Sequence, residues 1–466
     1  MFQPDQRVLS TLEQDGSRRW LRPKLAIGRF WKSRRITAYI LIAVFTLLPY
    51  LKINHKPAIL LDIFGRKFTI FGLVFLPTDT ALLALFLVTV GFTIFFLTAL
   101  FGRVWCGWAC PQTVYLEFLY RPIERLMGTT HNKKASGWRS VVMYALFLLV
   151  SLYLANTFLA YFVGVGQLRH WVFGSPVDHP VSFIVVMIIT GAMMFDFGWF
   201  REQMCTIACP YGRIQSVLTD RHSLAVTYDV NRGEPRGKMT RSTPLSVVSP
   251  ESSVLPRGDC VDCGMCEAAC PTGIDIRKGY QPECIACAQC IDACDAVMDK
   301  IGRSRGLIRF SSVAAMAGEP QRLMRPRVYV YASVIVLLGS LLTFLIATKP
   351  QADVTVMRNV GRPFVITDNG LVENTMRVKI TNRTEHAMRL HFSIQSRTDV
   401  RAIASQQVVE LAPGVSTTEP VQILSSQNIF TMGSADITLR VQGEDGMKID
   451  NKCRILGPVS FPGANQ

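Results

Sequence analysis

Eight of the chain's 13 cysteines fall in two runs, Cys260-x2-Cys263-x2-Cys266-x3-Cys270-Pro271 and Cys284-x2-Cys287-x2-Cys290-x3-Cys294. That spacing wraps a strand of protein around iron-sulfur cubanes, four thiolates to each. In two-cluster ferredoxins the fourth cysteine of each run ligates the other cluster. The expected sets are therefore Cys260, Cys263, Cys266 and Cys294 for one [4Fe-4S] cluster, and Cys284, Cys287, Cys290 and Cys270 for the other. Zinc sites come as separated CxxC pairs and disulfide frameworks belong to small secreted domains, so neither fits. One position departs from a generic ferredoxin: Asp295 stands where the first run has Pro271.

A soluble ferredoxin is excluded by the rest of the chain, whose 466 residues are 49% hydrophobic and carry a formal net charge of +16. Apolar stretches long enough to cross a bilayer run over Thr80 to Phe101, Val141 to Val163 and Val328 to Thr348. Two more are less clean: Ile36 to Leu51 is short, and Val181 to Phe200 contains Asp196 near one end. Lys and Arg accumulate on the cytoplasmic side of membrane spans. Residues 1–35 hold nine basic residues and 102–139 hold six, whereas 164–180 hold only Arg169. Five spans with the N-terminus inside place the cysteine runs in the reducing cytoplasm and everything after Lys349 in the periplasm. No signal peptide is expected ahead of the first span. The positive charge reads as topology and anionic-lipid contact, with no nucleic-acid partner. Phe68 to Leu76 reads as a periplasmic segment lying in the interface, with Thr78 or Asp79 capping the next helix.

After the second and fourth spans the same phrase recurs, Cys106-Gly-Trp-Ala-Cys110-Pro111 and Cys205-Thr-Ile-Ala-Cys209-Pro210, each with an arginine just upstream, Arg103 or Arg201. In one bundle these four thiols would meet at the membrane edge beside the cluster domain. Packing of small apolar side chains is the plain alternative. A further iron-sulfur site, a soft-metal site for Cu(I) and a redox dithiol are the functional ones, and nearby arginines would lower the thiol pKa values. Asp196, in the membrane edge, calls for a partner or a proton task. Met187, Met193, Met194, His170 and His179 are weaker candidates for metal ligands.

From Asp353 onward apolar residues alternate, as in Met376, Val378, Ile380 and Ile437, Leu439, Val441. Period-two runs between turn residues predict an all-β sandwich of immunoglobulin type, in which lone Cys453 can form no internal disulfide. The fold class expected is a mixed membrane protein: an α-helical bundle of five transmembrane helices, a cytoplasmic α+β two-[4Fe-4S] ferredoxin-like insert and a C-terminal all-β immunoglobulin-like domain. Its parts are a basic segment at 1–35, a four-helix core with both CxxxCP repeats at 36–225, the cluster domain with its linkers at 226–326, a fifth helix at 327–348 and the periplasmic domain at 349–466.

Several stretches together carry a family resemblance: Tyr228-Asp-Val-Asn-Arg-Gly-Glu-Pro-Arg236, Cys260 to Arg277, Glu283 to Asp295, and Lys300-Ile-Gly-Arg-Ser-Arg-Gly-Leu-Ile-Arg309. With both CxxxCP repeats and the β domain, nearly the whole chain resembles the cytochrome c oxidase accessory proteins known as CcoG, FixG or RdxA. Asp295 is ordinary in that family. The resemblance implies a multi-pass protein of the bacterial inner membrane that reduces Cu(II) to Cu(I) in assembly of cbb3-type oxidase. Its partners would be a cytoplasmic electron donor and oxidase subunits or copper-delivery proteins, with copper as substrate. Cys106, Cys110, Cys205 and Cys209 would be the membrane-side thiols, and the Arg232 to Arg236 stretch would dock the cluster domain on the membrane part. The alternatives are a quinol-dehydrogenase-like ferredoxin subunit feeding a respiratory reductase, and a copper scaffold without redox turnover.

Overall fold

The computed structural model describes residues 10–459 except 14, 54–55, 66, 76–78, 132, 134, 239–257, 321–323, 360, 385, 396–398, 405–407 and 445. Two compact units make up the chain, residues 1–342 and 343–466.

The longer helices are α1 (Arg29–Leu47), α2 (Thr80–Phe101), α3 (Trp138–Val163), α4 (Val165–Phe173), α5 (Pro180–Phe195), α6 (Pro210–Leu218), α7 (Gln289–Lys300) and α8 (Pro326–Ala347). Four among the described residues are long and apolar enough to cross a membrane: α2, α3, α8, and α5 continued through a π-helical turn to Phe200. α1 is not one of them. Its first two turns carry Arg29, Lys32, Arg34 and Arg35, and the twelve residues from Ile36 to Leu47 reach about 18 Å at 1.5 Å each, short of a hydrocarbon core of roughly 30 Å.

Between α1 and α2 the expected interface segment is instead a small antiparallel meander, β1 (Ile59–Asp62), β2 (Lys67–Ile70) and β3 (Leu73–Phe75). Thr78 lies outside the described residues. Asp79 stands at the N-cap of α2, but its carboxylate makes no capping bond to the helix.

The cysteine-rich part is built on a two-stranded ribbon, β4 (Ala225–Tyr228) and β5 (Ile308–Ser311), packed with α7 around Val226, Tyr228, Ile276, Ile291, Met298, Leu307 and Ile308. Asp295 now has a reason. The helix carrying Cys290 and Cys294 runs on to Lys300, so a proline at 295 would break its interior; the helical turn at Met265–Ala268 ends before Cys270-Pro271. Asp295 also accepts the Gly306 N–H at 3.0 Å. The Arg232 to Arg236 stretch does not dock on the membrane helices. Arg232 ties Asp259 to the Ser304–Arg305 carbonyls, while Cys260 N–H is directed at the Gly233 carbonyl. It is a clasp within the cluster domain, because its guanidinium is consumed by that domain's own loops.

The second unit is a sandwich. One sheet has the order β10 (Val400–Ala404), β12 (Ser416–Ser425), β8 (Val372–Asn382), β6 (Ala352–Arg358), with β7 (Val365–Ile366) also on β8; the other runs β11 (Val409–Leu411), β9 (Met388–Ile394), β13 (Ser434–Gly443), β14 (Lys448–Leu456). Val378, Ile380, Leu390, Val421, Leu439 and Val441 are fully buried between the sheets, as strand alternation requires. Cys453 pairs with Ile437 in register and packs half-buried against this core.

Candidate functional site

Each cysteine run folds as a tight loop whose residues flanking the second cysteine take the left-handed conformation: Asp262 (φ 47°) and Gly264 (φ 67°) around Cys263, Ala286 (φ 53°) and Ala288 (φ 61°) around Cys287. Left-handed turns aim successive N–H groups into a concavity that suits an anionic cluster. The non-glycine residues there store of order 1 kcal/mol or more each. Nothing in the sequence marks Ala286 and Ala288 for this.

The loops enclose two hollows. Cys260, Cys263, Cys266 and Cys294 line one, with Tyr228, Met298 and Leu307. Cys270, Cys284, Cys287 and Cys290 line the other, with Ile274, Ile276 and the edge of Cys266. The fourth cysteine of each run thus crosses to the other run's hollow. Among the described residues no three Cys, His, Asp or Glu converge on a point that would hold one metal ion. A cubane instead gives each thiolate its own iron, so four thiols spread round a hollow fit it; Asp259, which also lines the first hollow, is paired with Arg232 and Arg303. Burial pushes Cys266, Cys284 and Cys294 up to about 12, so these thiols are neutral until a metal displaces the proton.

The CxxxCP cysteines form a third group. Cys106 lies on the short helix Val104–Trp108, and Cys205 on the π-helical turn Met204–Ala208. Cys110 and Cys209 are both N-caps in extended conformation, each followed by a proline at the first helical position, where its missing N–H is harmless. The four thiols sit close enough to feel one another's charge: Cys205 couples to Cys110, Cys106 and Cys209, and Cys110 to Cys209. The expected lowering by arginine fails. Burial dominates at Cys106, Cys110 and Cys205 and drives all three thiols up, with Arg103 only partly opposing at Cys106 and Cys205. Arg201 is turned to Glu124 and Glu202.

This group touches the second hollow directly. Cys106 packs with Ile285, Cys287 and Tyr211; Trp108 Nε1 donates to the Ala286 carbonyl at 3.3 Å, and Arg103 donates to the Pro282 carbonyl. Arg103 Nε and the Cys106 thiol share the Gln215 side-chain oxygen, at 3.0 and 3.1 Å. Arg34 of α1 donates to the Gly107 carbonyl at 2.9 Å. Beneath lies a buried ion network in which Arg121 bridges Glu117 and Glu202 and Gln289 of α7 reaches Glu117 at 3.3 Å. Gln215, Arg34, Gln289 and the Arg121–Glu202 pair had no signature in the sequence, since each acts through a partner distant along the chain.

Asp196 is held by the Gln112 side chain at 3.0 Å. Met193 and Met194 pack into the core around Tyr120 and Phe147, and Met187 is exposed. His179 stands at the N-cap of α5, stacked on Trp171, and is not gathered with His170 into a metal site.

Comparison with known proteins agrees with this anatomy. Residues 200–313 match the family described as 4Fe-4S dicluster domain, residues 81–130 one described as 4Fe-4S binding domain, and residues 342–458 one described as IG-like fold at C-terminal of FixG. Nitrogen fixation protein FixG of Rhizobium meliloti is 32% identical over 425 residues, 81% of this chain and 79% of its own. Protein RdxA of Cereibacter sphaeroides is 31% identical over 403 residues, 81% of this chain and 83% of its own. Ferredoxin-type protein NapH of Haemophilus influenzae is 26% identical over 253 residues, 52% of this chain and 86% of its own. The chain is a membrane iron-sulfur electron-transfer protein and belongs to the FixG/RdxA family, the CcoG-type accessory proteins.

Proposed function

We propose that this protein is a one-electron metal reductase that converts Cu(II) to Cu(I) during assembly of a cbb3-type oxidase. The observation that carries the reading is the packing of Cys106 against Ile285 and Cys287, which joins the CxxxCP thiols to the second hollow, whose wall shares Cys266 with the first. Cys260, Cys263, Cys266 and Cys294 would hold one [4Fe-4S] cluster; Cys284, Cys287, Cys290 and Cys270 would hold the second. When bound, the clusters supply one-electron chemistry at potentials tuned by their surroundings.

The chain's own residues do the rest. Cys106, Cys110, Cys205 and Cys209 offer the soft donors that Cu(I) prefers. Arg103, Gln215 and Trp108 hold that quartet against the second cysteine loop. The acceptor is a metal ion, so no general acid or nucleophile is required. The basic-residue asymmetry supports a fifth span through α1 and its flank, cluster domain in the cytoplasm, sandwich in the periplasm, in a bacterial inner membrane. Oxidase subunits or copper-delivery proteins would take the product.

The test is anaerobic stopped-flow mixing of Cu(II) with dithionite-reduced, desalted protein, following cluster absorbance and Cu(I) capture by bicinchoninate. Cluster oxidation matched by Cu(I), and slowed in a Cys106→Ala/Cys205→Ala variant that retains both clusters, supports the reading. Reduced clusters indifferent to copper overturn it. The likeness to most of NapH favours, as second reading, a ferredoxin subunit that passes its electrons to a respiratory reductase.

A further inference from the structure

Where the apolar run of α2 gives way to Gly102 and Arg103, the chain encloses a cavity of about 300 Å³. Its floor is tied to the last turn of that helix: Leu224 N–H is directed at the Leu100 carbonyl at 3.3 Å, and Ser223 Oγ and Arg325 both donate to the Ala99 carbonyl. It therefore opens at the level where a membrane-crossing helix ends. One wall is Cys284, a thiol of the second hollow; Leu224, Ala225, Val226, Ala286 and Val313 supply its apolar lining.

The polar groups present define the ligand. Arg103 is engaged by Gln215 and Pro282, and Arg221 by Glu319 at 2.7 Å. Asp220 is held by Arg325. Neither arginine is available to a phosphate, which argues against a nucleotide. At about 300 Å³ the cavity stands at the small end of ligand pockets and takes a single ring rather than a dinucleotide. What faces that ring is the hydroxyl pair Thr219 Oγ1 and Tyr280 OH, 3.3 Å apart, a hydrogen-bonding edge in an apolar slot.

We propose that this cavity binds the ring of a membrane-dissolved hydroquinone and that electrons enter the protein there, at Cys284. The inference rests on the assignment of Cys284 to a cluster and replaces the cytoplasmic electron donor that the family resemblance implied. The balance is simple. One hydroquinone breaks its two O–H bonds and becomes the quinone, giving up two electrons and two protons. The electrons go one to each cluster, and the protons leave to water past the exposed Asp220. Two Cu(II) ions, each taking one electron, complete the reaction.

The experiment uses full-length, cluster-loaded protein with decyl-ubiquinone and decyl-ubiquinol as probes, and the variants Ala225→Trp, which fills the cavity, and Tyr280→Phe. Calorimetry should show saturable decyl-ubiquinone binding, weakened about tenfold or more by Ala225→Trp through overfilling, and roughly threefold to tenfold by Tyr280→Phe through one lost hydrogen bond. Anaerobic cluster reduction by decyl-ubiquinol should slow in step with binding, while the dithionite-loaded copper step keeps its wild-type rate in both variants. If Ala225→Trp loses its clusters, Tyr280→Phe decides. Absence of saturable binding, or variants that bind and are reduced like wild type, overturns the proposal. A dead copper step after dithionite loading, with quinone binding intact, overturns the copper reading and leaves the cavity assignment standing.

Discussion

Gly107 lies backbone to backbone against Ile285: a Cβ at position 107 would run into the Ile285 carbonyl oxygen and stand 2.9 Å from the Cys287 amide nitrogen. Both groups are main chain and cannot swing aside, so any side chain there must push the first CxxxCP elbow off the second cysteine loop. Gly107→Val should keep both clusters yet slow Cu(II) reduction by dithionite-loaded protein about tenfold to a hundredfold, the penalty of ångström-scale misplacement. Iron content and stopped-flow rate together check this; an unchanged rate would mean that electrons do not cross at this contact.

Asp292, between Cys290 and Cys294 on α7, accepts the Phe30 and Trp31 N–H groups at 3.2 and 2.7 Å. It caps α1 from another element, since Gly28 at that helix's own N-cap has no side chain to do so. Asp292→Ala should remove about 1–2 kcal/mol of capping stabilisation and raise amide exchange at residues 29–34, with Asp292→Asn intermediate. Unaltered exchange in both variants would show the bond to be dispensable.

The cysteine spacing was legible because iron geometry dictates it residue by residue, and alternation revealed the sandwich because each strand is half-buried. The CxxxCP repeat was visible too, but not its electrostatics. Arg103 and Arg201 hold equivalent places in the sequence, yet one is drawn to Gln215 and Pro282 and the other into carboxylates. Only the packed structure separates them. In the same way the Arg232 clasp and the contacts that Glu202 and Gln289 make in the Glu117 network depend on distant partners that local composition does not encode.

Burial alone would raise the Glu117 carboxyl, but the Arg121, Arg125 and Arg34 guanidiniums outweigh it and hold the group at about 2, against an ordinary 4.5. A depressed carboxylate contributes stability that is complete above 4.5 and lost as pH falls toward 2. The shift corresponds to roughly 3 kcal/mol. Thermal unfolding in detergent should show the loss as the medium is acidified from pH 5 to pH 3. Glu117→Gln should be less stable by about 1.5–3 kcal/mol at pH 7, having removed one of the two carboxylates that Arg121 bridges, and flatter across the acid range. A variant with the wild-type acid slope would assign the loss to other groups.

Because Cys266, Cys284 and Cys294 are raised to about 12 in the metal-free chain, each must shed a proton to bind iron. Anaerobic reconstitution in weak buffer should therefore acidify the solution by several protons per cluster, and iron affinity should rise from pH 6.5 to pH 8.5. An indicator dye follows the first and a competing chelator the second. Reconstitution without proton release would mean that the thiols are already ionised.

The crossing of the two runs can be separated from an uncrossed arrangement by single substitutions. Cys294 lines the hollow of the first run and Cys270 that of the second. Cys294→Ser should thus perturb the same cluster signal as Cys263→Ser, and Cys270→Ser the same one as Cys287→Ser, when the reduced proteins are compared by electron paramagnetic resonance. The spectra should fall into two pairs, each losing a different half of the signal. Pairing by run, with Cys294→Ser resembling Cys287→Ser, would show each run to hold its own cluster and would move the electron path: Cys106 would then adjoin a cluster held wholly by residues 284–294, leaving Cys270 on the far one.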